Sequence, residues 1–116
     1  MSMPSNKVIS IAIGKFGTWA ISTGDMIYYM DQDNDAWVQT TGRLKQISVG
    51  GNQVWGVASS DAIYTAHVKS RHPGWTRIPG ALKQVSVSNL NHVWGVNSAD
   101  MIYRWIETHW TYIPGN

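Results

Sequence analysis

Apolar residues in this chain fall in short runs of four to six, rich in Val, Ile, Tyr and Trp, with Gly, Ser, Asn, Asp and Pro-Gly between them. Runs of that length and make-up, bounded by turn formers, predict β-strands. Residues 43–80 hold four of them: Lys45 to Val49, Val54 to Ser59, Ala62 to His67 and Trp75 to Ile78. No segment sustains an apolar period of about 3.6 residues over the length a helix needs. In-out alternation is poor in stretches such as Val54-Trp55-Gly56-Val57, the pattern of strands covered on both faces.

The arrangement repeats. Leu44-Lys45-Gln46-Ile47-Ser48-Val49 returns as Leu82-Lys83-Gln84-Val85-Ser86-Val87, and Ile11-Ala12-Ile13-Gly14 stands where Ile47-Ser48-Val49-Gly50 stands. The pattern Trp-x5-Asp-x-Ile-Tyr holds three times without a gap, ending at Tyr28, Tyr64 and Tyr103. A second Trp (Trp37, Trp75, Trp110) and a Gly five residues on (Gly42, Gly80, Gly115) close the units, which run over about residues 7–42, 43–80 and 81–116 as one domain. Trp105 has no counterpart, Thr65 and Tyr29 holding its place. Four short strands per unit, each unit too small to bury its own faces, predict an all-β fold of three four-stranded β-propeller blades.

The segments Lys83 to Val87, Trp94 to Tyr103 and Trp110 to Gly115 carry a resemblance to the tectonin-repeat propellers, of the fish-egg-lectin and fungal tectonin types. It covers residues 11–115; unit one departs from the pattern at Ala20, Ile21 and Thr41-Gly42. The resemblance implies a glycan-binding protein of innate defence, with bacterial surface glycans, lipopolysaccharide or O-methylated sugars as ligand classes, and six repeats in several members. Three blades do not close a ring, since propellers hold about four to eight. Two terminal blades would each leave an apolar face in water. The expectation is half of a six-bladed propeller, completed by a head-to-tail homodimer.

Composition narrows the chemistry. Charged residues are 14% of the 116, and nine Lys and Arg against seven Asp and Glu leave a net charge of +2. So small and scattered a surplus does not suit a phosphate backbone, and no nucleic-acid partner is expected. The absence of Cys removes disulfides, thiolate zinc sites and Cys nucleophiles. The apolar run Val8 to Ile13 is far shorter than a signal-peptide core or a membrane span. Cytoplasmic residence, or export without a signal peptide, is therefore expected, with no membrane insertion.

Asp31-x-Asp33-x-Asp35 opens like a calcium loop, but Ala36 holds the sixth position and Gly42 the twelfth. His67, His72, His92 and His109 lack zinc spacing. Glu107 is the only Glu, and the repeated Asp residues are too symmetric to serve as unlike acid and base. The expectation is no enzyme, no metal and no cofactor.

Unit length varies where the third strand joins the fourth, with eight, ten and six residues from Tyr28 to Trp37, Tyr64 to Trp75 and Tyr103 to Trp110. In a meander that loop shares an end with the first-to-second strand loop, and the opposite end is constant. Repeated sites need repeated residues, so sugar sites are expected at the constant end, between blades. The candidates are Asp25, Asp61 and Asp100 with Tyr28, Tyr64 and Tyr103, together with Asn97, Trp55 and Trp94. A carboxylate or amide binds sugar hydroxyls while an aromatic plane covers the C–H face of the ring. The same Asp residues also suit Asx turns, and the Tyr residues a core. Trp19, Trp55 and Trp94 suit packing between blades, and Trp37, Trp75 and Trp110 suit either role. Thr23 and Gly24 alter unit one's copy, which leaves four competent sites among six blades. The alternative function is a protein-interaction scaffold using Lys69, Arg71, His72, Arg104 and Trp105.

Overall fold

The structure is a computed structural model and describes residues 7–14, 17–31, 33–67, 74–88 and 92–114. Among these, twelve strands form three four-stranded antiparallel sheets, each a meander in chain order. The first sheet holds β1 (Val8–Gly14), β2 (Gly17–Ser22), β3 (Met26–Asp31) and β4 (Ala36–Arg43). The second holds β5 (Gln46–Gly50), β6 (Gln53–Val57), β7 (Ala62–His67) and β8 (Thr76–Ala81). The third holds β9 (Gln84–Val87), β10 (Val93–Val96), β11 (Ile102–Ile106) and β12 (His109–Ile113). No helix of the described residues is long and apolar enough to cross a membrane.

In the second unit the strands follow the apolar runs, except that β6 ends at Val57, short of Ser59, and β8 runs beyond Ile78. β8 continues past Ile78 through Pro79 and Gly80 to Ala81. It is an edge strand, where a proline without an N–H interrupts no ladder on its open side. A register shift between Ala62 and Ile63 absorbs the extra residues, with Gly80 at φ 101°. The registers also correct the repeat alignment at one point. Trp55 lies opposite Thr65 and Trp94 opposite Arg104, while Val54 lies opposite Ala66 and Val93 opposite Trp105. Ala66 and Met30, not Thr65 and Tyr29, hold the position of Trp105. Each stands two residues past the shared Tyr, as Trp105 does.

Two apolar cores lie between the sheets. Trp19, Ile21 and Ile27 of the first sheet meet Leu44, Ile47, Val49 and Val54 of the second unit. Trp55, Val57 and Ile63 of the second sheet meet Leu82, Val85, Val87 and Val93 of the third unit. The middle sheet is thus covered on both faces, which is why β6 shows no alternation. Ring contacts repeat as well: Trp19 meets Trp75 edge-on at 6.0 Å between centroids, and Trp55 meets Trp110 at 6.3 Å.

The two outer faces carry the same side chains without a neighbour. Ile11 and Ile13 are 57% and 74% exposed, whereas their counterparts Ile47 and Val49 are 3% and 8% exposed. On the far side Trp94 is 41% exposed against 3% for Trp55.

Candidate functional site

The constant end of the molecule is built from three tight turns. Asp25, Asp61 and Asp100 each donate their N–H to the carbonyl three residues back, at 3.0, 2.8 and 2.9 Å. All three lie in the left-handed region, at φ 64°, 69° and 64°, which Asp enters more readily than most residues. The turn carbonyls of Asp25 and Asp61 then accept the N–H groups of Leu44 and Leu82, each at 3.0 Å. The first two turns therefore each seat the second residue of the following unit.

The carboxylates hold the seams. The Ser59 hydroxyl donates to Asp25 Oδ2 at 2.5 Å, and the Ser98 hydroxyl to Asp61 Oδ2 at 2.6 Å. Lys45 Nζ meets Asp61 Oδ1 at 2.6 Å, and Lys83 pairs with Asp100 in the same way. The Lys45 hydrogen bond, followed by that from Ser98, holds the Asp61 carboxyl below its ordinary value, and Lys83 does the same for Asp100. In unit one Ile9 stands at the lysine position.

Beside these turns each seam opens a cleft, and the two are repeat equivalents. The first has a volume of about 200 Å³ and is walled by Ile27, Gly42, Leu44, Tyr64 and Trp75, with Arg43 and Ala58 at its polar side. The second, about 220 Å³, is walled by Gly80, Leu82, Tyr103 and Trp110, with Ala81 and Asn97 in those two places. The indoles are fixed. Trp75 Nε1 donates to the Thr41 carbonyl at 2.9 Å and Trp110 Nε1 to the Pro79 carbonyl at 2.8 Å. Gly42 and Gly80, at φ 89° and 101°, lie under the rings so closely that a Cβ would stand 3.1 Å from each indole Cδ1. Their polar groups differ: Arg43 Nη1 donates to the Gly24 carbonyl at 2.8 Å, which leaves further guanidinium N–H groups, whereas Asn97 Oδ1 is occupied by the N–H groups of Ala99 and Met101.

The structure therefore places Tyr64, Tyr103 and Asn97 in clefts. Asp25, Asp61 and Asp100 form the turns next to them, Asp61 and Asp100 with an ion pair and Asp25 with the Ser59 hydroxyl. Trp55 is buried between sheets, its ring N–H donating to Gln53 Oε1 at 3.0 Å. Trp94 lies on the outer face of the third sheet, 5.7 Å beneath the Arg104 guanidinium. Tyr28 is buried in the first sheet. Trp75 and Trp110, which suited either role, form cleft walls, while Gly42, Gly80 and Arg43 are cleft residues outside the sequence candidates. Their signal was the constant Trp-to-Gly spacing, which sets the wall and floor of each cleft.

Other candidates separate. Lys69, Arg71 and His72 lie outside the described residues. Arg104 covers the outer face of the third sheet, while Trp105 packs inward against Trp55 and Trp110. Asp31 accepts bonds from the Asp33 N–H and the Asn34 amide within its own hairpin. Among the described residues no three His, Cys, Asp or Glu gather as metal ligands.

Four-stranded meanders stacked face to face, with each link seated on the turn before it, define a β-propeller-type repeat protein. Solved structures share the fold: YCF48 from Cyanidioschyzon merolae at TM-score 0.75 and 17% identity, over 96% of this chain and 38% of that one. Human WBSCR16 superposes at TM-score 0.80 and 11% identity, over 98% of this chain and 39% of that one. YCF48 bound to D1 peptide superposes at TM-score 0.61 and 14% identity, over 100% and 41%. This chain thus spans about two fifths of those chains. No curated protein matches it. The tectonin-domain family model matches residues 1–116, and the chain belongs to that family.

Proposed function

We propose that the protein is a carbohydrate-binding lectin whose sites are the clefts at successive sheet links, and that two copies close a six-bladed ring. The observation that carries the binding reading is the pair of equivalent clefts, each with a Tyr, a fixed Trp and one variable polar group. At about 200 and 220 Å³ they fall below the 300–1,000 Å³ of drug-sized pockets. That volume suits one ring of a glycan, with the aromatic walls on its C–H faces. Such sites are individually weak and gain strength by multivalency on a glycan-dense surface, as a defence lectin requires. Two clefts per chain make four in the ring.

The unlike polar groups assign unlike sugars. Arg43 gives the first cleft a cation suited to a carboxylate or phosphate substituent, and Asn97 gives the second an amide suited to hydroxyls or an O-methyl ether's oxygen. Titration with methyl glucuronide and with a methylated neutral glycoside, followed by cleft tyrosine and indole resonances in NMR, tests this. The acid perturbs Tyr64 and Trp75, and Arg43→Ala removes the effect while leaving the response at Tyr103 and Trp110. No response to any member of a glycan panel overturns the lectin reading.

Ring closure is supported by the outer faces. Val8, Ile11 and Ile13 on one side and Trp94, Val96 and Ile102 on the other hold the positions that fill the internal cores. At roughly 1.5–3 kcal/mol for each large side chain, one such seam approximately matches the 4–15 kcal/mol cost of association. Two seams formed together exceed it, which favours a closed pair over an open chain.

A second reading, a protein-interaction scaffold, rests on a cleft of about 380 Å³ at the opposite end, lined by Gln53, His92, Arg104, Trp105 and Glu107 among others. The peptide-bound YCF48 neighbour is a precedent for this kind of use. Retention of a captured protein by the Arg43→Ala variant, and its loss on Trp105→Ala, would favour that reading.

A further inference from the structure

We infer that the joint between two copies is a backbone grip made by Gln84 and Ser86 of one copy on the free edge of β1 of the other; this rests on the ring closure proposed above. The grip is visible once within the chain. β9 is an innermost edge strand, and its outward N–H and C=O groups have no strand partner. Gln46 supplies one: its Oε1 accepts the Val85 N–H at 2.8 Å, while its Nε2 donates to the Val85 carbonyl at 2.9 Å. Ser48 Oγ accepts the Val87 N–H at 3.0 Å. Together they fix the register of β9 against β5, a constraint that apolar packing alone does not impose.

Every component of that grip is repeated on the outer faces. Gln84 and Ser86 hold the positions of Gln46 and Ser48, and both are exposed. Ile11 and Ile13 of β1 hold the positions of Val85 and Val87. Val85 lies opposite Gly95 and Val87 opposite Val93, just as Ile11 lies opposite Ala20 and Ile13 opposite Thr18. The outward backbone groups of Ile11 and Ile13 therefore point as those of Val85 and Val87 do. The first seam has no such grip, because Ser10 and Ala12 stand where Gln46 and Ser48 would be. The gripping pair is thus present where the chain's own partner strand is missing. The turn bond continues the pattern: Ser59 serves Asp25 and Ser98 serves Asp61, and Thr23 of a second copy holds the place to serve Asp100.

One residue sets this joint apart from the internal seams. A Cβ on Gly14 would stand 2.6 Å from Val49 Cγ1, and one on Gly50 2.5 Å from the Val87 carbonyl. The third unit has Ser88 there. Its Cβ holds the joint open at that end, so the joint packs less closely than the internal seams.

Sedimentation across a dilution series tests the grip in the full chain. Gln84→Ala with Ser86→Ala raises the dimer Kd at least a hundredfold, whereas Gln46→Ala with Ser48→Ala lowers the melting temperature and leaves the dimer Kd within threefold. Ser88→Gly tightens the dimer about tenfold. Both outer positions are exposed in the single chain, so the first variant folds, as its near-ultraviolet circular dichroism will show. A wild-type dimer whose Kd is unchanged by the Gln84 and Ser86 substitutions overturns the grip and leaves the ring. A wild-type chain that stays monomeric at every concentration overturns both.

Discussion

Asp61 ties the turn of the second unit to the third, its carbonyl accepting the Leu82 N–H and its carboxylate the Ser98 hydroxyl. Its carboxyl is held below the ordinary value of 3.8 by Lys45 and Ser98. A lowered carboxyl contributes stability above its ordinary value and loses it as pH falls through the folded-state value. Asp61→Asn, which keeps the tolerance for positive φ, therefore destabilises at pH 7, and the gap to wild type closes as the pH falls through and below the ordinary carboxylate range; urea unfolding followed by indole fluorescence across that range reads it. The glycines are equally specific. Gly42→Ala places a Cβ at φ 89° and against Trp75, at a cost of about 1–2 kcal/mol for the left-handed backbone. The same experiment measures it, and a change within error would mean that the indole does not sit on the glycine. The Asp positions were legible in the sequence because the Trp-x5-Asp-x-Ile-Tyr pattern is unbroken. Their partners were not, because Ser59 and Ser98 each belong to the next unit and only the stacking of sheets brings them to Asp25 and Asp61.

At the scale of elements, short apolar runs between turn formers were enough to place the second unit's strands to within a few residues. The error lay at β8, where Pro79-Gly80 reads as a stop and an edge strand accepts it. The role of the second Trp in each unit was also hidden. Its anchor is a backbone carbonyl of the preceding unit, and no sequence pattern marks a carbonyl. Trp75→Phe keeps an aromatic side chain but removes the pyrrole half that lies on Gly42 together with its N–H, leaving the Thr41 carbonyl without that partner. The hydrogen bond alone accounts for a loss of about 0.5–1.5 kcal/mol in unfolding free energy, and the lost packing on Gly42 adds to it. Trp55→Ala is a different event. It empties a buried aromatic site between sheets, and about 3–5 kcal/mol is expected, enough to unfold a marginal domain.

The whole molecule is a stack in which each sheet completes its neighbour, so the ends are the informative part. Ile11, Ile13 and Trp94 would be core in any internal unit and are exposed here. Three units, too few to close a ring, leave two faces of this chain uncovered. Which polar residues would join them was not legible, because Gln84 and Ser86 look like ordinary surface residues until Gln46 and Ser48 are seen to grip β9. In the proposed ring, the two clefts of each chain would make four. Light scattering coupled to size exclusion, at micromolar concentration and neutral pH, is the most direct measurement. Ring closure requires twice the mass of one chain, in a single symmetric peak; a peak at the mass of one chain, stable and soluble, would contradict it.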